Sequence, residues 1–332
     1  MISKNRKKHD FGKIVQNLRK NWMSVIGIVL LAVVFSILSY AKNGQQYFMT
    51  WSNWKMILIQ SSTVTIVALG QALILITGNF DLSLGRIVCL TSCVGAVLMK
   101  NSGLPVGVCV AIMFAVGLLV GVVNGFLTAY IGVPAFIATL GTQYICYGFA
   151  KYITNATPIP RMPNEIAWLG RGNVFNGLIP NCVLIMLGIY LVAQFITSKT
   201  GIGRNLYAVG GSREAAFYSG INVQKYHFFS FVVAALLATF GGLILMSRLN
   251  SVAVTNGQNY ELDAVISAII GGVSLSGGKG FVIGTMFGCL FLNVLFNGFS
   301  QMGIDPFIQD ILKGFVLVIA VTLDILGNKK KA

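Results

Sequence analysis

Apolar residues in this chain come in long unbroken runs rather than in the three-and-four spacing of a half-wetted surface helix. Ten runs stand out, at 23–41, 56–77, 82–99, 104–131, 134–153, 178–197, 226–249, 262–275, 281–299 and 307–326. A helix needs about 20 apolar residues to cross the ~30 Å hydrocarbon layer of a bilayer. All the runs approach that length except 262–275, which is short for a crossing. The pattern predicts an all-α polytopic membrane protein of about ten transmembrane helices filling 23–326, with little chain left for a soluble domain. The small residues at Ser39-Tyr40-Ala41 resemble a leader cleavage site. Nineteen apolar residues behind a basic stretch over 1–22 predict a retained helix instead.

Composition agrees: of 332 residues, 55% are hydrophobic and 10% charged, against about 25% charged in soluble domains. The net charge of +15 raises nucleic acid as a partner. The cations instead crowd the chain ends (Lys4, Arg6, Lys7, Lys8, Lys13, Arg19, Lys20 and Lys329 to Lys331) and one connection, 198–225, with Lys199, Arg204, Arg213 and Lys225. Cytoplasmic loops of membrane proteins carry such an excess. Both termini (1–22 and 327–332) and the 198–225 loop are therefore expected in the cytoplasm, with 154–177 outside, in a multi-pass protein of the plasma or inner cell membrane. All six cysteines lie within apolar runs and are expected as unpaired small core residues. Cys89 and Cys93 share a helix face, but with only His9 and His227 in the chain no metal or other cofactor site is expected.

Between the second and third runs stands Gly78-Asn79-Phe80-Asp81-Leu82-Ser83-Leu84-Gly85-Arg86. Its pattern Gly-x-x-x-Leu-Ser-x-Gly-(Arg/Lys) returns at Gly271, Leu275, Ser276, Gly278 and Lys279, an offset of 193 residues that Gly95 and Gly288 share. The pair reads as an internal repeat of glycine-flanked helix breaks. In transporters, broken helices in duplicated halves meet at the solute route. One reading has Gly78 turning the chain while Asp81 or Ser83 caps the next helix. The other has Asn79, Asp81 and Ser83, with Asn124, Ser274 and Ser276, lining a hydrated translocation pathway, because an ionisable residue at membrane depth must face water or protein. Arg86 and Lys279 close the two copies at an expected half-solvated edge.

Within 198–225, Ser212 as N-cap, Glu214 in the first turn and Gly220 as stop predict a short helix of two turns. Ala215, Ala216 and Phe217 give it an apolar face for docking. Glu214-Ala215-Ala216-x-x-x-Gly220 resembles the loop by which permeases of ABC importers engage their ATPase. The strings GNFDLSLG, NGFLTAYIGVPAFIATLGT, GIGRNLYAVGGSREAAFYSGINV, YELDAVISAIIGGVSLSGGKG and PFIQDILKGFVLVIAVTLD occur in the order of the ribose-type branch of sugar ABC permeases, a resemblance running from about 57 to 324. Where that branch more often has Gly-Gly-Ile-Asp-Leu-Ser, this chain keeps Asp81 and Ser83 but carries Asn79 and Phe80.

The resemblance implies a permease subunit forming the translocation pathway for a monosaccharide, either a pentose or a hexose. It implies cytoplasmic ABC ATPase subunits, an extracytoplasmic sugar-binding protein and a second permease in a homodimer or heterodimer. Ser212, Arg213, Glu214, Ala215, Ala216 and Gly220 would couple to the ATPase. The chain itself is expected to be no enzyme: a Walker A loop over 273–280 would need Gly at 273 and Ser or Thr at 280, where Val273 and Gly280 stand. A nucleoside or furanosyl signalling molecule is an alternative solute. An ion-coupled secondary transporter is an alternative class, and it would need mid-span carboxylates. Here only Asp81, Glu261, Asp263 and Asp310 approach membrane depth. Asp310 is expected to neutralise Lys313 one turn away, and Glu261 and Asp263 to flank a span at the outer aqueous side. A membrane-embedded enzyme would need a nucleophile–base pair or a metal cluster, and neither presents itself.

Overall fold

The computed structural model describes residues 24–42 and 44–329. The expected cytoplasmic segment 1–22 and the last three residues of the basic tail lie outside it. The chain is a helical bundle: α1 (Ser24–Lys42), α2 (Trp51–Ile76), α3 (Leu84–Asn101), α4 (Val106–Phe126, continued by a π-turn over Leu127–Ile131) and α5 (Ala135–Thr154). There follow β1 (Ile159–Pro160), α6 (Ala167–Gly170), β2 (Asn173–Val174), β3 (Ile179–Pro180), α7 (Asn181–Lys199), α8 (Gly201–Gly211) and α9 (Arg213–Tyr218). The last elements are α10 (Val223–Leu249), β4 (Ser251–Val252), α11 (Tyr260–Ile270), α12 (Val282–Gln301) and α13 (Pro306–Lys329). Two antiparallel pairs, β1 with β4 and β2 with β3, tie connections together.

Helices apolar all round belong at the centre of a membrane bundle, and α2 and α10 are mostly buried there. Lipid offers no hydrophobic drive between helices, so close approach of small residues does the packing. Gly117, Gly121 and Gly125 of α4 form a ridge on α10, where an added methyl would meet Thr239, Ala235 or Phe228.

Among the described residues, eight helices are long and apolar enough to cross a membrane: α1, α2, α3, α4 with its π-turn, α7, α10, α12 and α13. The expected ten included two more. α5 has 20 residues but is diluted by Thr139, Thr142, Gln143 and Lys151. The run at 262–275 yields only the 11 residues of α11, about 16 Å at 1.5 Å per residue. Gly272 at φ +88° ends what the hydropathy continues. Residues 253–259 precede α11 without helical structure and pack on α3: Cys89 Sγ donates to the Val254 carbonyl at 3.3 Å, and Gly257 sits against Gly85 and Val88. Such backbone is tolerated at membrane depth where protein covers it.

The acidic residues also depart from expectation. Glu261 is buried against Gly85, not turned to an aqueous face. Lys313 pairs with Asp263 at 2.9 Å instead of with Asp310. A buried carboxylate on the facing helix gives a better desolvated partner than a neighbour on its own helix.

Candidate functional site

The chain turns out of α2 through Gly78 at φ +80° and then runs extended to α3. Asp81 is nearly fully buried. Its Oδ1 accepts from both the amide and the hydroxyl of Ser83, each at 2.6 Å. Asn124 of α4 donates to Ser83 Oγ at 2.9 Å. Thr139 of α5 accepts from the Leu82 amide at 3.2 Å. With its amide oriented to match, Gln71 of α2 bridges the backbone of Asp81, with contacts of 3.0 Å to the carbonyl and 3.2 Å to the amide. Ser83 is the N-cap residue of α3, but its side chain makes no cap bond. The carboxylate of Asp81, two residues earlier, organises the entry. Asp81 Oδ2 and Asn124 Oδ1 remain buried without a hydrogen-bond partner.

The second break repeats that turn with different atoms. The Ser276 amide donates to Ser274 Oγ at 3.3 Å, the same two-residue step as Ser83 to Asp81 and at the 193-residue offset. Where the first copy has its own carboxylate, the second borrows one from α13: Asp324 Oδ2 accepts from Ser274 Oγ at 3.2 Å and from the Leu275 amide at 3.1 Å. The repeat is confined to this turn. The left-handed glycine that ends the preceding helix is Gly78 in one copy and Gly272 in the other, one residue out of register, and the second copy adds Gly277 and Gly278 at positive φ. Gly95 packs on Met113, whereas Gly288 packs on the Ser267 carbonyl. Arg86 is half-buried over the Tyr147 ring, 4.1 Å from its centroid, while Lys279 is exposed.

The two breaks meet. The Gly278 amide donates to the Ile76 carbonyl at 2.8 Å, and a methyl on Gly277 would press on Gly78. The end of α8 closes over this junction: a methyl on Gly210 would collide with the Ile76 carbonyl and the Gly278 amide. Tyr207 of α8 donates to the Gly280 carbonyl at 2.9 Å. Burial pushes its hydroxyl up to about 12, so it stays a donor. Immediately beyond, Ser212 caps α9 by accepting from the Ala215 amide at 3.2 Å, Glu214 stands in the first turn, and Gly220 turns at φ +77°. Only Ala216 of α9 is buried, while Phe217 and Tyr218 stay exposed at 67% and 85%. Arg213 reaches back to Asn79 Oδ1 at 3.3 Å, and the Asn79 amide touches His227 of α10.

The six pathway candidates therefore fall into three places. Asp81, Ser83 and Asn124 form one buried cluster. Asn79 faces α9 and α10. Ser274 and Ser276 build the second turn, with Ser276 exposed. Sequence reasoning missed Gln71, Thr139, Gly210 and Asp324. Of these only Asp324, a lone carboxylate near the end of an apolar run, carried a signal.

The sequence pattern of the permease component of the branched-chain amino acid transport system matches residues 53–321. The ribose import permease RbsC of Escherichia coli K12 is 37% identical over 322 residues, covering 94% of this chain and 96% of its own. The galactose/methyl galactoside import permease MglC of Haemophilus influenzae is 32% identical over 95% of this chain and 96% of its own. A probable ABC transporter permease, y4mJ of Sinorhizobium fredii, is 34% identical over 90% and 89%. No solved structure matches the chain. A helical bundle with several membrane-crossing helices, a family pattern over four-fifths of its length and relatives aligned nearly end to end lead to one conclusion: this chain belongs to the transport-system permease family.

Proposed function

We propose that this chain is the membrane-spanning permease of a binding-protein-dependent ABC importer that moves a monosaccharide, with ATP hydrolysed on separate subunits. The observation that carries this reading is the junction of α8 with both helix breaks. A short helix whose Phe217 and Tyr218 stand exposed among the described residues leads through two glycines into a place where the two repeated turns touch. That arrangement supports a lever: an ATPase docked on Phe217 and Tyr218 would move α8, and α8 would move Ile76 and Gly278. In this reading the α8–α9 end of the bundle is cytoplasmic with both termini on that side, a binding protein delivers solute to the opposite end, and a second permease covers the face of α13. The ribose and galactose permeases among the relatives support a sugar over an amino acid. Asp81, Ser83 and Asn124 are read as holding the first break in shape.

The test is uptake into proteoliposomes holding the permease, its ATPase and its binding protein. ATP-dependent accumulation of D-ribose or D-galactose is expected, and accumulation of leucine with neither sugar would overturn the substrate class. Glu214→Lys should lower sugar-stimulated ATP hydrolysis and co-purification of the ATPase. Unchanged values for both would remove α9 as the coupling element.

A further inference from the structure

We infer that a half-open cavity with polar lining between α2, α11, α12 and α13 is a monosaccharide subsite of the permease. The cavity measures about 260 Å³, room for on the order of eight waters at about 30 Å³ each and therefore for a five- or six-carbon sugar ring. Asp263, Ser267, Asn293, Phe296, Gln309 and Lys313 line it. Two larger cavities, of about 320 and 880 Å³, are walled mainly by apolar side chains. Those suit lipid chains or packing partners, whereas this one suits a hydroxylated solute.

The chemistry of the lining selects the ligand class. Asp263 and Lys313 pair at 2.9 Å, and Asp310 adds a second carboxylate to the wall, so the lining holds a charged acceptor beside its neutral groups. Asn293 Nδ2 donates to the Cys289 carbonyl at 2.9 Å and Gln309 Nε2 to the Ile304 carbonyl at 2.9 Å, so these amides are held in place and offer the space chiefly acceptor oxygen. Ser267 is fully buried, and its hydroxyl has no hydrogen-bond partner. Phe296 supplies an aromatic face to the same space, with Lys313 Nζ 5.1 Å from its ring centroid. Carboxylate and amide acceptors with a buried hydroxyl beside one aromatic face match a sugar, whose hydroxyls donate to such oxygens and whose C–H face is apolar. Pro306, Gln309, Asp310 and Lys313 recur along one face of α13, so a polar stripe enters the membrane there. Polar side chains at that depth persist where they face water or protein.

Position supports a place on the route. The cavity lies at the start of α13, away from the α8–α9 end, and Asp324 near the other end of α13 holds the second break. α13 thus joins the cavity to the break. The assignment rests on the sugar-import reading, and the experiment separates the two.

In the reconstituted importer, Asn293→Cys is treated with the water-borne thiol reagent MTSET; the six native cysteines are all buried. Labelling is expected, and D-ribose or D-galactose should slow it several-fold, while leucine leaves the rate unchanged. Gln309→Leu and Phe296→Ala should each lower sugar uptake several-fold per folded permease, counted by gel filtration, because Gln309 also holds the Ile304 carbonyl and Phe296 packs on Phe299. If Asn293→Cys is unreachable, or labels at one rate with and without sugar, the subsite is overturned. Wild-type uptake rates in Gln309→Leu and Phe296→Ala would overturn it equally. If the unmodified importer carries no sugar, the functional reading itself fails; if it carries sugar while the cavity variants behave as wild type, only the subsite does.

Discussion

Gly210 and Gly211 are consecutive residues of α8 with opposite surroundings, which makes them a test of the junction. An added methyl at 210 would run into backbone on both breaks, the Ile76 carbonyl and the Gly278 amide, while at 211 it meets nothing within 4 Å. Gly210→Ala must therefore part α8 from the junction or break the 2.8 Å bond between Gly278 and Ile76. Losing that bond costs about 0.5–1.5 kcal/mol, and forcing a methyl into packed backbone costs about 1–3 kcal/mol. Against this, replacing glycine by alanine in a helix gains up to about 1 kcal/mol, a gain both variants share. The two should differ by about 2–4 kcal/mol, with Gly210→Ala less stable and Gly211→Ala equal to or above wild type. Because every cysteine is buried and unpaired, a maleimide dye that fluoresces on reaction follows unfolding of the purified protein in detergent. Coupled uptake should fall in Gly210→Ala and persist in Gly211→Ala. Superimposable melting curves for the two variants would refute the close approach of α8 to the breaks.

Three further outcomes follow from the same geometry. Asp81→Ala strips the acceptor from two buried donors of Ser83, at about 1–3 kcal/mol each, whereas Asp81→Asn keeps an acceptor oxygen; thermal unfolding should separate them, and equal losses would show that the charge rather than the hydrogen bonds matters. Asp324→Ala should destabilise by about 1–3 kcal/mol and depress uptake, with Asp324→Asn retaining most of both, and a wild-type Asp324→Ala would detach α13 from the second break. The double variant Phe217→Ala/Tyr218→Ala removes side chains that are exposed in the permease alone, so its melting temperature should match wild type while the ATPase no longer co-purifies; retained co-purification would move the docking surface elsewhere.

What was legible in the sequence is what short-range chemistry fixes. The α9 helix follows from Ser212, Glu214 and Gly220, each acting within one turn, and the chain breaks at Gly78 because no apolar pattern bridges it. The side-chain turn at Asp81 and Ser83 recurs at Ser274 and Ser276 for the same local reason. Distant partners left no trace: Gln71 is one polar residue in an apolar run, and nothing in its spacing says that it will hold the backbone of Asp81. Lys313 shows how a local rule loses, since Asp310 has the right helical spacing but Asp263 on α11 takes the ion pair. The run at 262–275 misled for another reason. Hydropathy sums residue types, and Gly271, Gly272 and Val273 add to the apolar total while the backbone at Gly272 leaves the helix.

The two breaks differ in how they can be undone. In the first, the carboxylate and the groups it holds lie two residues apart on one strand of chain, and Gln71, Asn124 and Thr139 brace that strand from three helices. Motion of any single helix leaves the turn intact. In the second, the carboxylate belongs to α13, fifty residues further along the chain, on a helix with no fully buried residue over 306–326 and which packs chiefly on α11. A shift of α13 by a hydrogen-bond length removes Asp324 Oδ2 from Ser274 Oγ and the Leu275 amide, so this tie from α13 is releasable while the turn keeps its own backbone bonds from Ser274 to Lys279 and from Gly277 to Ser274. A displacement of α8 presses on both breaks at once, but one is braced and the other is releasable. The resulting movement must go into α11, α12 and α13, three of the four helices around the polar cavity. In a permease built this way the first break serves as the fulcrum and the second as the hinge.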